Sequence, residues 1–391
     1  TVANKAGANG SVVTGVGVYL NNTGPVSLSR MQLNDFQNFA ILGNIVASFV
    51  LRDSVINGVS GTLGAGNAGT NPTSRESVIF ITDLSGTSGI LNSTISGGAT
   101  DNIRFIKNSG TLNLTITGNT IQNNDNTNGG IGEDGLFIST EGGSSLFANI
   151  ANNTFANHHG DHVSASGNGT SQLHVTINNN GMTADGGVTE DFDNNGTFGD
   201  DLGGTILVAD NESADVFFDV SNNTIFGAVL TAIAINQSAF TTAAASLSGR
   251  VQNNTIGNAA ITDSGSAQGS GIAIDAQGAS AGAGLYKIII SAADNDVFEY
   301  NNHGILLASG DGSSALAATV TSNIINNPGT FGANGIHLNH GKTSTPAGGG
   351  GADSQTGCFD IRTNNIVGAG NAGAGSTDFR LRQRINTTVQ L

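Results

Sequence analysis

Short runs in which apolar and polar residues alternate recur along the whole chain, each closed by a turn of Asn, Gly or Ser. Between Leu146 and Gly169, Ala148 and Ile150 alternate with Phe147, Asn149 and Ala151 before an Asn152-Asn153-Thr154-Phe155 corner. A polar turn follows through His159-Gly160, and His162 to Ala165 forms a second short strand. The wording returns: Phe298 to Ser313 repeats Phe155 to Thr170, which sets His303-Gly304 against His159-Gly160. Period-2 alternation predicts strands, and self-similarity at a coil-like interval predicts a stack of repeats.

Two strand families carry the repeat. One precedes an Asn corner, as in Leu112 to Ile116, Val216 to Val220 and Ile288 to Ile290. Its corners are Asn92, Asn119, Asn153, Asn223, Asn254, Asn323 and Asn365, each running into an Ile or Phe. The second family opens on a small or polar residue before an alternating apolar pair, as in Asn102 to Phe105, Gly135 to Ile138, Ala232 to Ile235, Gly271 to Ile274, Gly304 to Leu307 and Gly335 to Leu338. Corner spacing runs from 27 residues (Asn92 to Asn119) to 42 (Asn323 to Asn365), so some coils carry insertions. Asn-Gly between two long alternating strands hardly appears, which speaks against local hairpins. The expected fold is all-β, a parallel β-helix (solenoid) of about eleven coils with loop insertions, stacked about 4.8 Å apart into a rod on the order of 50 Å long. Asn suits the corners twice over: it tolerates left-handed backbone, and stacked amides can form ladders. Residues 1–25 read as an N-terminal cap or linker and 26–391 as the solenoid, with insertions near 188–204 and 342–355.

Composition supports an elongated stack over a large globular core. The 391 residues include 58 Gly, 4 Pro and no Trp, and only 5% are aromatic. A net charge of −16 with 13 basic residues argues against a nucleic-acid partner. No apolar run approaches the ~18 residues of a membrane span. The single cysteine, Cys358, excludes an intrachain disulfide and reads as a small buried side chain in the Gly357 to Ile361 strand. Thr1 in place of Met points to a removed leader or an excised piece.

Alternating strands closed by NNTI or NSTI corners and followed by GI-x-I strands resemble the right-handed parallel β-helix repeats of large bacterial surface and secreted proteins. The ending Ser376 to Leu391 is similar to the closing strand of one such domain type, set beside other modules in very long chains. This pectate-lyase-like resemblance covers roughly Val16 to Leu391. It implies a secreted or cell-surface location, with other modules of a longer chain or copies of itself as partners. It fixes architecture more than function, because the superfamily mixes polysaccharide-cleaving enzymes with adhesive and structural members.

The sharpest chemical motif is Glu190 to Asp201. Asp191, Asp193 and Asn195 fall at positions 1, 3 and 5 of a calcium loop, Gly196 supplies the turn, and Thr197 offers its carbonyl at position 7. Leu202 takes the place of the closing Glu, so Asp200 or Asp201 would close the shell, with an expected affinity on the order of 10⁻⁴ to 10⁻³ M. Calcium is the cofactor this loop suggests. His158, His159 and His162 are suitable metal or acid–base groups in kind, although a His-Gly pair recurring at His159, His303 and His340 reads as architectural. Arg104 and Lys107 are candidates for a lyase base, with Glu133, Asp134 and Glu141 on the following turn; alternation points Arg104 outward. Paired carboxylates for glycoside hydrolysis are scattered, and Tyr19, Tyr286 and Tyr300 offer little sugar-stacking surface. Arg380, Arg382 and Arg384 form one face of a terminal strand, with Phe379, Leu381 and Ile385 on the other, an arrangement suited to protecting a sheet edge. The expectation is a structural or adhesive rod presenting loops to a glycan or protein ligand. A polysaccharide lyase or glycoside hydrolase of the same fold, and a fibre subunit stacking end to end, are the alternatives.

Overall fold

The computed structural model describes residues 1–61, 76–124, 134–183, 203–237, 246–277, 286–310, 314–329, 334–341, 355–369, 377–383 and 387–391. Among these residues there is no helix. The strands pair in parallel throughout, and a coil is three strands long, as in Ile103–Lys107, Thr111–Thr117 and Thr120–Gln122. Third strands stack into a 12-stranded sheet that begins with the lone Val2–Lys5, so among the described residues eleven coils are complete, as expected, and a partial one follows at the C-terminal end. First and second strands share a 22-stranded sheet, because Val16–Ser29 and Phe39–Arg52 each run through both positions without a break. Parallel pairing is present ahead of Val26: Val2–Lys5 pairs with Gln32–Phe36, and Val16 pairs with Phe39.

Register holds the core together. In the first strand, Ile103, Leu136, Val163, Ile206, Ile233, Ile272, Ile305 and Ile336 stand directly over one another, all fully buried. Each such side chain contributes about 1.5–3 kcal/mol by leaving water. A one-residue slip would turn the whole column outward, so the apolar lanes fix the pairing.

The corner between the second and third strands is built from two residues with different tasks. The first adopts left-handed backbone: Asn92, Asn152, Asn179, Asn222, Asn253 and Asp294 have φ between 48° and 57°. The second points inward and joins a ladder through Asn119, Asn153, Asn180, Asn223, Asn254, Asn295, Asn323 and Asn364. Each rung repeats one pattern. The Asn223 Nδ2 donates to Asn254 Oδ1 at 3.0 Å and to the Ile177 carbonyl at 2.9 Å, while Asn223 Oδ1 accepts from the Asn180 Nδ2 and backbone N–H at 3.0 and 3.1 Å. Ser93 and Ser54 continue the ladder at the N-terminal end. Rungs are 26 to 43 residues apart, so coil length varies at the turns while the ladder stays in step.

The repeat in the wording and the repeat in space differ by a small offset. Phe155 lies in the lane of Met182, Ile225, Ile256 and Val297, so Phe298 is one residue out of step with it. His303 lies in the lane of Asp161, two residues from His159, and His340 sits at the far end of the first strand in the lane of Ser309. The three His-Gly pairs therefore do not share a turn. Turn letters do not set register; the inward apolar lanes do.

Candidate functional site

The calcium-loop residues Asp191, Asp193, Asn195, Thr197, Asp200 and Asp201 lie outside the described residues, as do Glu133 and Arg384. Among the described residues, no group of three or more His, Cys, Asp or Glu side chains is placed to hold a metal ion, and no helix is long and apolar enough to cross a membrane.

Arg104, Lys107, His158 and His162 are held inside. Arg104 lies on the outward side of its strand, as alternation requires, yet it is only 6% exposed. Its guanidinium is 2.6 Å from Asp101 Oδ2 and 3.9 Å from the centre of the Phe137 ring. Asp101 is further engaged by the Ser77 hydroxyl and by the backbone N–H of Asp134, at 3.2 Å each. That N–H contact begins a second ladder: Asp134 Oδ1 accepts the N–H of Asp161 at 2.9 Å, and the Asp161 carboxylate accepts that of Gly204. Lys107 is buried, its Nζ 3.9 Å from Asp83, and loss of water lowers its pKa against the opposing pull of Asp83. An arginine fixed by a buried carboxylate and an aromatic ring cannot swing out to take a proton from a substrate. Arg104→Ala is expected to destabilise the chain by about 1–3 kcal/mol, read from denaturant midpoints, because it strips Asp101 of a partner.

His158 and His162 are fully buried with their Nδ1 atoms 2.7 Å apart. The Asn102 Nδ2 lies 3.1 Å from His158 Nε2, while Asn102 Oδ1 accepts from the Gly98 N–H. Asn102 therefore donates to His158 Nε2, which puts the His158 proton on Nδ1, pointing at His162. His162 then accepts on Nδ1 and carries its own proton on Nε2. Both rings are neutral: burial holds His158 well below the usual histidine range and takes His162 down to about 4. Phe155 packs against both rings. The pair is a sealed corner of the coil.

A surface feature escaped the sequence reading. On the outer side of the second strands, register aligns Asn113, Phe147, His174, Phe217, Ser248 and Ile289 in one lane. Phe147 is 39% exposed, Phe217 45% and Ile289 46%. His174 sits between the two phenylalanines, with ring centres 4.9 Å from Phe147 and 5.7 Å from Phe217, tilted by 47° and 38°. Polar lanes flank it: Ser145, Gln172, Asp215 and Ser246 on one side, Asn149, Thr176, Asp219 and Arg250 on the other. Cys358 is in the same lane further along and is exposed, not buried, because this strand's inward positions are Gly357 and Phe359.

The last coil carries the arginine stripe. Arg380 and Arg382 face outward over His337 and Asn339, while Phe379 and Leu381 continue the inward lanes of Ile336 and Leu338. An opening of ≈ 520 Å³ there is lined by Cys358, Phe359, Asp360, Ile361, Phe379 and Leu391, and another of ≈ 340 Å³ near the first coils is lined by Asn4, Lys5, Ala6, Asp35, Phe36, Gln37 and Val59. Neither brings together the two facing carboxylates that glycoside hydrolysis needs. No protein-family model matches the chain, and no curated protein or solved structure does either.

Proposed function

We propose that the chain is a structural or adhesive rod of a secreted or cell-surface bacterial protein, with a pectate-lyase-like coil used for display and not for cleavage. The observation that carries this reading is the contrast between its two sides. The groups that could do acid–base chemistry, His158, His162, Arg104 and Lys107, are buried and engaged, while the second-strand sheet exposes a continuous polar face with an aromatic lane. A stack pinned by amide ladders gives stiffness, and a face repeated once per coil gives many equivalent contacts.

Two measurements test it. Incubation with pectate, alginate and other acidic glycans plus Ca²⁺ should release no unsaturated products, and turnover lost on Arg104→Ala would replace the rod with a lyase. Immobilised chain should also retain glycan- or protein-coated particles under flow; no retention on any coating counts against adhesion.

Calcium belongs to the same proposal through charge alone. Glu190, Asp191, Asp193, Asp200 and Asp201 place five carboxylates in twelve residues with no Lys or Arg among them. Bound ion relieves that repulsion and favours the folded state. Millimolar Ca²⁺ is expected to raise the melting temperature, and Asp191→Ala with Asp193→Ala to abolish the rise; an unchanged Tm on chelation would leave only a solvated acidic loop.

A further inference from the structure

We propose that the Phe147–His174–Phe217 lane is a binding site for a neutral polysaccharide chain lying along the rod axis, a reading that rests on the adhesive function above. Ordinary packing does not account for the lane. Phe147 and Phe217 are large apolar residues at outward positions of a polar face, exposed by about two-fifths, and they lie two coils apart with the His174 ring on the coil between them. Were the three rings stacked parallel, only their edges would meet solvent. The 47° and 38° tilts exclude that arrangement, and Phe147 and Phe217 keep 39% and 45% of their surface exposed. An open aromatic face suits the C–H face of a sugar ring, and a row of rings, one per coil, suits a linear polymer over a compact ligand.

The flanking lanes supply what the sugar's hydroxyls need. Ser145 and Gln172 on one side, Asn149 and Thr176 on the other, put hydroxyl and carboxamide groups beside the aromatic lane in successive coils. Such groups both donate and accept. Charge decides between neutral and acidic polymers. Asp219 is paired with Arg250 at 2.6 Å, and Asp215 accepts the Ser246 hydroxyl at 2.8 Å, so Arg250 is already engaged by a carboxylate, and Lys287 follows Ser246 in the lane only at the coil of Ile289, beyond the rings. The chain's net charge of −16 further repels polyanions. Beyond Ser248, Ile289 extends the lane by one more apolar position.

Affinity electrophoresis in native gels cast with hydroxyethyl cellulose, soluble xylan, galactomannan or polygalacturonate tests the proposal. At least one neutral polymer should retard the chain, and polygalacturonate should not. Phe147→Ala with Phe217→Ala should weaken retardation at least tenfold while circular dichroism and melting stay unchanged, since neither ring is in the core. Asn236→Ala, outward on the first-strand sheet, should bind as wild type. His174→Gln, which removes the middle ring but keeps a polar side chain, should give a partial loss and serves if the double variant misfolds. Retardation by polygalacturonate alone, by no neutral polymer, or equally by wild type and both lane variants overturns the site. Coated-particle retention that survives the double variant would reject the lane and leave the adhesive rod standing; loss of all retention by the wild type would reject both.

Discussion

Asn223→Ala is expected to lower stability by about 3–5 kcal/mol, a large fraction of what holds a typical domain folded. The substitution removes no apolar surface, so the loss must come from groups left without partners. Asn180 loses the acceptor of both its Nδ2 and its backbone N–H, the Ile177 carbonyl loses its donor, and Asn254 Oδ1 loses one of two donors. All lie at a buried corner that water does not reach. An unsatisfied buried group costs about 1–3 kcal/mol, and partial relaxation keeps the total below a simple sum. Asn223→Asp separates geometry from chemistry. It keeps the acceptor for Asn180 but faces the Ile177 carbonyl and Asn254 Oδ1 with oxygen, so it should also destabilise. Asn113→Ala, at the solvent side of the same sheet, should change stability by less than about 0.5 kcal/mol. Denaturant midpoints give the comparison, and amide exchange should show the loss centred on the coils around Asn180 and Asn254, because each repeat contacts only its neighbours. A midpoint for Asn223→Ala equal to that of Asn113→Ala would mean that the ladder follows the coil without supporting it.

The ladder also marks how far the sequence could be read. Asn119, Asn153, Asn223, Asn254 and Asn323 were legible because a Thr-Ile, Thr-Phe or Ile-Ile pair follows each. Asn180 and Asn295 were missed, since Gly181-Met182 and Asp296-Val297 follow them, although their side chains do the same work. Asn92 and Asn365 were placed one residue off the true rungs, Ser93 and Asn364. In a doublet such as Asn222-Asn223, either residue could turn or bridge, and only the backbone separates the two roles. Parallel architecture followed from period-2 strands of constant wording. Lateral neighbours did not, because turn lengths vary, and a lane is defined by register across coils. Phe147, His174 and Phe217 are 27 and 43 residues apart in sequence, so nothing local joins them. The burial of Arg104 was hidden for a related reason: alternation gives the side of a strand and says nothing of what covers that side.

Asp210 gives the second large effect, a dependence of stability on pH that a single substitution should erase. It ends a first strand, in the lane of Thr140, Gly167 and Gln237, fully buried with both carboxyl oxygens lacking a hydrogen bond. Burial, helped by nearby Asp215, raises its pKa to about 8. The folded chain thus keeps a proton that the unfolded chain releases near pH 4, so the stability Asp210 contributes is complete below that value and is lost as pH rises towards 8. The buried histidines work in the opposite sense. His162 and His303 are lowered to about 4, and His158 is lowered as well, all chiefly by burial. Their contribution is complete above about pH 6.5 and is lost as pH falls through the folded value. Asp161 keeps some solvent contact and is raised by burial only to about 6, so above pH 6.5 it adds only the tail of its titration, in the same sense as Asp210. Between pH 6.5 and 8 the proton on Asp210 sets wild type apart from a variant without it: with a slope of up to about 1.4 kcal/mol per pH unit that flattens towards pH 8, the wild-type chain should lose about 1.5 kcal/mol relative to Asp210→Asn across that window. Asp210→Asn, which mimics the protonated carboxyl, should not share that fall and should be more stable than wild type at pH 8. Below pH 6.5 the same variant should expose the histidine slope that Asp210 partly masks, with stability falling steadily towards pH 4. Urea midpoints at pH 4, 5, 6.5 and 8 separate these outcomes, and equal slopes for the two chains between pH 6.5 and 8 would show that Asp210 is already ionised in the folded state at neutral pH.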